Sequence, residues 1–554
     1  MSDQATAATG AAPERAGALS HRQILTILSG LMLGMFLAAL DQTIMGSAMR
    51  TIADQLHGQT IQAWATTAYL ITATISTPLY GKLSDIFGRK PMYLTAISVF
   101  LAGSLLSGIA TSMYELAAFR AVQGLGAGGL MSLALAIIAD ITTPRERSRY
   151  TGYFMGVWGL SSVAGPLIGG LFAGLDTFAG ITGWRWVFLL NVPIALLALV
   201  VVSRVLNVPH VKVRQRIDFW GAGTLTLGLV PLLIVAEQGR EWGWGSTASI
   251  AMFVTGFVGL VAFVFVERWM GDAALLPMRM FRRPVFSLVN VINFIMGIGM
   301  FGMMMSLPLY LQIVKGATPT ESGLMSLPMV LGIMVSAMSS GRFTSKTGRY
   351  KIFPILGTGA TAVALFLFAQ ITVDTALWQT MLVMLLAGAG LGLCMQSLLL
   401  AIQAEAPVQD MGVATSSATF FRSIGGTVGT AVFLSILFGV VADRIASAFA
   451  SARTDPAFIA ALQNPANAGA AQGLQGGGGL DLNNTEFLNH MDPALARPIL
   501  QGFASSLDTV FMVGGIVMLV AFALVWFVKE IPLSNKSRVQ QQAEEAAAAP
   551  VAVH

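Results

Sequence analysis

The sequence predicts an all-α integral membrane protein of about fourteen transmembrane helices, set out as two six-helix bundles with two helices inserted between them. Three observations lead there. Of 554 residues, 55% are hydrophobic and only 11% carry a formal charge, and the mean hydropathy of +0.72 lies far outside the balance of water-soluble domains. The charges gather between apolar runs of roughly twenty residues, the length that crosses about 30 Å of hydrocarbon at about 1.5 Å per residue. A short motif after the second run also recurs after the tenth.

Taken in order, apolar runs bounded by charges or turn residues place helices over 23–45, 60–80, 92–111, 115–139, 150–173, 185–204, 218–237 and 249–266, then over 286–312, 322–341, 352–372, 378–403, 413–441 and 507–528. Residues 1–22 form a polar, Ala-rich tail. The first apolar run is too long for a removed signal peptide and no small-residue cleavage site follows it, so it is expected to stay as an anchor. The expected division is 23–204 for the first bundle, 205–285 for a linker with the two extra helices, 286–530 for the second bundle and 531–554 for a closing tail. Within the second bundle, 443–506 reads as a long flexible external loop through Gly476–Gly479. Its Asn483-Asn484-Thr485 fits a glycosylation triplet, a pattern too short to carry weight.

A formal charge of +5 and a pI near 9.4 could suit nucleic acid. The cations, however, lie in short loops between apolar runs, where they orient a chain in a membrane. The loops after runs two, four, six, eight and ten hold eighteen Lys and Arg, among them Lys82, Arg89, Lys90, Arg147, Arg279 and Arg349, against Arg50, Arg240 and Lys315 on the short opposite loops. The positive-inside rule then puts that face and both termini in the cytoplasm, with the chain in the inner (cytoplasmic) membrane. Every Trp but Trp158 lies near a predicted helix end, as interfacial anchors do. The single Cys394 sits inside an apolar run, so it forms no internal disulfide and reads as a small core residue.

The repeat joins the halves. GKLSDIFGRK starts at Gly81 and GRFTSKTGRYK at Gly341, each with two glycines seven residues apart followed at once by Arg. Two six-helix halves bring these segments after the second helix of each half only if helices 7 and 8 are an insert. Parallel repeats about an axis along the membrane normal, with a cavity between them, are a known transporter design.

With GKLSDIFGRK, RAVQGLGAGG and GPLIGG in that order on helices 2–3, 4 and 5, the chain resembles the major facilitator superfamily, and more narrowly its fourteen-helix drug:proton antiporter branch. The resemblance covers roughly residues 23–530. In the first motif, Gly81 and Gly88 allow a tight reversal, and Arg89 and Lys90 are cations at the inner membrane surface. Asp85 is either an ordinary loop charge or, as the resemblance implies, part of a latch that pairs with cations or a helix N-terminus to hold the halves in one state. Ser345 replaces it in the second copy, which makes any latch one-sided.

Helix 1 carries Asp41 in an apolar stretch, where a carboxylate costs about 2.5–3.5 kcal/mol on insertion scales. The family's version of this segment ends in Ala-Leu-Pro; here Ala48, Met49 and Arg50 stand there. Arg120 on helix 4 falls at a similar depth, with Gln123 one turn deeper on the same face. Two readings stay open: a structural Asp–Arg pair, or a proton-coupling site in which Asp41 takes a proton from outside and releases it inside while Arg120 and Gln123 set its affinity. Burial favours the neutral acid and a guanidinium favours the carboxylate, so small movements shift the balance. On helix 5, Gly152, Ser161, Gly165, Pro166, Gly169 and Gly170 read as a packed, bent helix; the resemblance implies the motif that marks antiporters, with Ser161 where Gly is expected.

Arg422 on helix 13 is a second cation near mid-membrane, able either to bind anionic groups in a cavity or to pair with a backbone carbonyl. Asn290, Asn293, Gln312, Gln396 and Gln403 are candidate cavity groups or interhelical contacts, and Met300, Met303 and Met304 are candidate linings for an adaptable apolar cavity. The expected function is proton-coupled export of amphipathic small molecules, such as drugs or antibiotics, with a dedicated exporter of one metabolite or lipid as the alternative. The expected partners are these substrates, protons and the bilayer, with the chain as a monomer and no nucleic acid. No cofactor or metal is expected, the proton gradient being the energy source. An enzyme fits poorly, since the five His at 21, 57, 210, 490 and 554 lie outside the apolar cores. ATP is disfavoured by the absence of a GxxxxGK[ST] loop, and a channel would betray itself by its conductance.

Overall fold

The computed structural model describes residues 21–57, 63–207, 217–407, 410–464, 467 and 491–533. In the first half the helices are α1 (His21–Gln55), α2 (Ala63–Phe87), α3 (Arg89–Ile109), α4 (Met113–Ile141), α5 (Pro144–Ala173), the single turn α6 (Trp186–Leu189) and α7 (Asn191–Val205). The pair α8 (Phe219–Trp242) and α9 (Thr247–Met270) follows, then the short α10 (Met278–Phe281). The second half holds α11 (Pro284–Leu309), a π-helical turn at Tyr310–Val314, α12 (Pro319–Met325), α13 (Leu327–Thr347), α14 (Ile352–Phe368), α15 (Leu377–Glu405), α16 (Met411–Ala452), α17 (Pro456–Gln463) and α18 (Pro493–Val525). Among the described residues 12 helices are long and apolar enough to cross a membrane; α2 and the shorter apolar α14 stand outside that count and pack between those helices. A hairpin of two-residue strands, Thr177–Phe178 with Ile181–Thr182, interrupts the helical pattern between α5 and α6.

The packing repeats as the motif does. In the first half α1 packs on α5 and α7, α3 on α4 and α7, and α2 on α4; in the second half α11 packs on α16 and α18, α14 on α15 and α18, and α13 on α15. The two halves meet where α5 lies against α13 and α2 against α16, while α8 and α9 form a hairpin whose α8 leans on α2 and α16. Small residues make such close approach feasible where no hydrophobic force drives helices together in lipid. A side chain at Gly124 would strike the Tyr69 carbonyl of α2, and one at Gly126 would strike the backbone of Ala96 and Phe100 on α3.

The largest departures from the sequence reading are helices that run longer than expected. The stretch read as a loop from Gly81 is helical through Phe87, and only Gly88, at φ 99°, breaks the chain before α3 starts at Arg89. Its repeat partner Gly348, at φ 73°, closes α13 as a left-handed cap. Both conformations favour glycine, which explains the repeated spacing. Helix 1 continues unbroken past Arg50 to Gln55. The expected external loop over 443–506 is largely helix at both margins: α16 runs on to Ala452, α17 follows, and α18 starts at Pro493 behind an Asp492 cap. Phe458, Ala461 and Leu495 form a small core there with Phe449 and Met491. Hydropathy marks hydrocarbon, and helices that project beyond it into water carry no such mark. Gly476–Gly479, Asn483-Asn484-Thr485 and both terminal tails lie outside the described residues.

Candidate functional site

Asp41 lies at the centre of a closed polar cluster inside the first bundle. Its Oδ2 is 2.5 Å from Arg120 Nη1, and both side chains are sealed, at 0% and 1% exposure. The other oxygen accepts from Gln123 Nε2 at 2.8 Å and from Asn191 Nδ2 at 2.9 Å. Arg120 also donates to Gln123 Oε1 at 2.7 Å and to the Ala65 carbonyl at 3.4 Å, with its guanidinium 4.2 Å from the Tyr69 ring centre. Ser104 Oγ accepts from Gln123 and Asn191 and donates to the Phe188 carbonyl. Five helices thus converge on one carboxylate: α1, α2, α3, α4 and α7. Such a charge in low dielectric persists only where it is paired and hydrogen-bonded, which this shell accomplishes.

The sequence reading missed half of this shell. Asn191 and Ser104 were not singled out, and neither was Tyr69. Asn191 is an amide inside an otherwise apolar run, and that is the signal that could have marked it.

The second cluster joins the bundles at the end of the molecule where Gly88 lies, called here the basic face. Arg89 is no surface cation: it is buried, with Nη2 2.7 Å from Asp85 Oδ1 and Nε 2.7 Å from Asp140 Oδ2 at the foot of α4, and it also donates to Ser84. The Asp85 and Arg89 side chains sit over Gly412 in the first turn of α16, where an added Cβ would come 2.5 Å from Asp85 Oδ2 and 2.6 Å from Arg89 Nη1. Gly81 meets Ser416 of the same helix. Lys90 turns outward and donates to Asn207 at 2.7 Å.

More ties cross nearby. Arg147 of α5, counted from the sequence as a loop cation, is buried and donates to Gln403 of α15 at 2.5 Å, and Gln403 in turn donates to Thr415 of α16 at 2.9 Å. Lys82 of α2 donates to the Asp272 carbonyl after α9 at 2.8 Å, and Arg279 of α10 pairs with Asp410 at 2.7 Å. Burial pushes the Asp410 carboxyl above its ordinary range, with Arg279 and Lys82 pulling it back.

The helix-5 residues divide. Gly165 lies against Thr43 of α1, whose hydroxyl donates to the Ser161 carbonyl at 2.9 Å, so the Ser at that position leaves the contact intact. Gly152 meets Met338 of α13, and Pro166 approaches Gly323 of α12 across the seam. Gly169 is buried, whereas Gly170 is exposed with open space around it and makes no close contact.

In the second bundle Arg422 is half-buried, with no ion pair or hydrogen bond to its guanidinium among the described residues. Asn293 donates to its own helix at the Val289 carbonyl, and Gln396 and Asn290 are buried. Met303 is sealed in the core and so lines no open cavity, while Met300 and Met304 are partly exposed. No group of His, Cys, Asp and Glu suited to a metal occurs among the described residues.

The comparisons agree with this architecture. The Major Facilitator Superfamily profile matches residues 31–430. The multidrug transporter protein MdtP of Bacillus subtilis is 33% identical over 543 residues, which are 96% of this chain and 97% of that protein. A tetracycline resistance determinant of Streptomyces rimosus is 39% identical over 60% of this chain and 97% of its own length. Among solved structures, the human organic anion transporter MFSD10 aligns with a TM-score of 0.58 at 14% identity, covering 91% of this chain and 99% of that one. The proton:xylose symporter XylE aligns at 0.56 with 15% identity, covering 95% and 100%. At such identities the structural likeness speaks for the fold alone. With the sequence relatives and the profile beside it, this multi-pass membrane protein belongs to the Major Facilitator Superfamily, as a transporter and not an enzyme.

Proposed function

We propose that the chain is a proton-coupled antiporter that exports amphipathic small molecules, with Asp41 as its proton-binding group. The observation that carries this is an acidic side chain sealed within the apolar α1 and held by Arg120, Gln123 and Asn191 from two other helices. Intramembrane ionisable groups are rare and concentrate on ion pathways. A proton taken up by Asp41 would cancel its charge, release Arg120 and loosen the α1–α4–α7 junction, which couples the proton to the shape of the bundle. The printed names of relatives, a multidrug transporter and a tetracycline resistance determinant, support drugs as the substrate class.

The remaining parts take roles in that cycle. Residues 23–204 and 286–530 act as the two rocking units and 205–285 as the insert between them. The Asp85–Arg89–Asp140 cluster over Gly412, with Arg147 and Gln403, serves as the latch of a state closed at the basic face. The Lys and Arg of that face support a cytoplasmic side of the inner membrane for it and for the termini. Gly165 and Ser161 keep α5 tight on α1 as the units move.

The test is counter-transport in proteoliposomes with several dyes and an imposed pH gradient. Asp41→Asn should abolish efflux driven by the gradient while the purified protein remains folded. Full gradient-driven efflux in that variant would refute the assignment, and transport of one dye class alone would favour a dedicated exporter.

A further inference from the structure

We propose that Asp508 is a second proton-binding carboxyl, placed in the outer part of the second bundle; its role in transport, though not its protonation, rests on the antiporter reading above. The sequence reading began the last helix at 507, which left Asp508 at a helix margin. In the structure α18 begins at Pro493, and Asp508 lies about 22 Å along it, followed by the apolar stretch to Val525.

Its surroundings contrast with those of Asp41. No ion pair reaches Asp508 among the described residues, and its Oδ1 is buried without a hydrogen-bond partner. Two hydroxyls lie on the elements packed against α18, those of Tyr310 and Ser306, with Thr380 of α15 beside the first. The Tyr310 phenol, at the head of the π-helical turn, donates to the Thr372 carbonyl at 3.2 Å and lies beside Thr380 and within electrostatic reach of Asp508. Thr380 at the start of α15 is sealed, with its Oγ unpartnered, and Ser306, one turn before Tyr310, is sealed and unpartnered as well. A π-helical turn in an otherwise regular helix frequently marks a functional position.

The charged groups facing this region leave the carboxyl without a fixed counterion. From α16 come Asp443 and Arg444, both exposed; Arg444 attracts Asp508 without pairing with it. Lys315, after the π turn, is held by the carbonyls of Val373 and Thr375 at 2.7 and 2.6 Å. Arg497 is paired at the outer rim with Asp374 at 2.9 Å. Helices α11 and α14 bring no ionisable group.

An unpaired carboxylate at this depth is unfavourable, and the nearest neutral solution is the protonated acid. The unpartnered Ser306 hydroxyl can serve as donor or acceptor, while the Tyr310 hydroxyl, which already donates to the Thr372 carbonyl, can only accept. Asp41 is held by a guanidinium and two amides, whereas Asp508 has no fixed partner for its buried oxygen.

The experiment uses dicyclohexylcarbodiimide, which adds to protonated carboxyls in apolar surroundings, on the full-length wild-type protein in membranes, with the adducts read by peptide mass spectrometry. The Asp508 peptide should carry the adduct at about pH 6 and lose it at least about tenfold by about pH 9, as a group titrating between those values does. No adduct at either pH, or equal adduct at both, overturns the proposal. Asp41→Asn protein should label at Asp508 as wild type does, so failure of the antiporter reading and failure of this one remain distinguishable. In proteoliposomes, Asp508→Asn should lower the number of protons exchanged per dye molecule. An unchanged ratio with weakened affinity for cationic dyes would instead make Asp508 a substrate contact and overturn its proton role.

Discussion

The ion pair between Asp41 and Arg120 can be weighed by a double-mutant cycle of Asp41→Asn, Arg120→Gln and the two combined. Each single change strands one charge in a site where both side chains are at most 1% exposed. Breaking a buried pair from one side costs about 3–5 kcal/mol. The stranded group keeps company in either case: Arg120 retains Gln123, the Ala65 carbonyl and the Tyr69 ring, and Asp41 retains Gln123 and Asn191. Each single variant is therefore expected near the lower bound, about 3 kcal/mol. The double variant strands no charge and should lose no more than about 3 kcal/mol in all, leaving a coupling of about 3 kcal/mol, or roughly 150-fold. Reversible unfolding of the detergent-solubilised protein, followed by tryptophan fluorescence, reads all four corners. A coupling below about 0.5 kcal/mol would mean that the charges do not depend on each other, and the reasoning built on this cluster would fall.

Three further outcomes follow from single contacts. Gly126→Ala should cost about 1–3 kcal/mol in thermal unfolding, because its Cβ meets backbone of α3 that cannot give, whereas Gly170→Ala, in open space, should stay within about 0.5 kcal/mol. Asp218 and Glu267 are buried at the base of the α8–α9 hairpin, each with one unpartnered oxygen. Glu267→Gln supplies a donor there and should hold or raise stability, while Glu267→Leu loses the bond from Leu276 N–H and should cost about 1–2 kcal/mol. Gly412→Ala pushes a methyl into Asp85 and Arg89, so a cysteine introduced by Ser416→Cys, in a Cys394→Ala background, should react faster with a soluble maleimide; an unchanged rate would show that this contact does not hold the seam.

The membrane-spanning fold was legible because its cause is compositional: lipid demands long apolar helices, and the chain writes them out. The same reasoning failed wherever helix continued past the hydrocarbon. Residues 81–87 looked like a loop because their polarity suits water, and 493–506 because Pro493, Arg497, Pro498 and Gly502 interrupt its apolar residues, although both stretches are helical. That error hid Asp508 by making it a margin residue. Within the spans, Asp41 and Arg120 were conspicuous as charges, but Asn191 and Ser104 were not, since a neutral polar side chain in a membrane helix is as often a structural contact as a site. Arg89 and Arg147 read as surface cations because nothing in their spacing tells that Asp140 and Gln403 come to meet them.

The length of α16 has a mechanical meaning. Its 42 residues make a rod of about 63 Å, roughly twice the hydrocarbon thickness, braced at its far end by α17 and α18. Pivoting near Met411, such a rod magnifies small rotations: each 10° swings the tip at Ala452 through about 11 Å. A spectroscopic ruler fixed to that tip would therefore register angular changes that are almost invisible at the pivot.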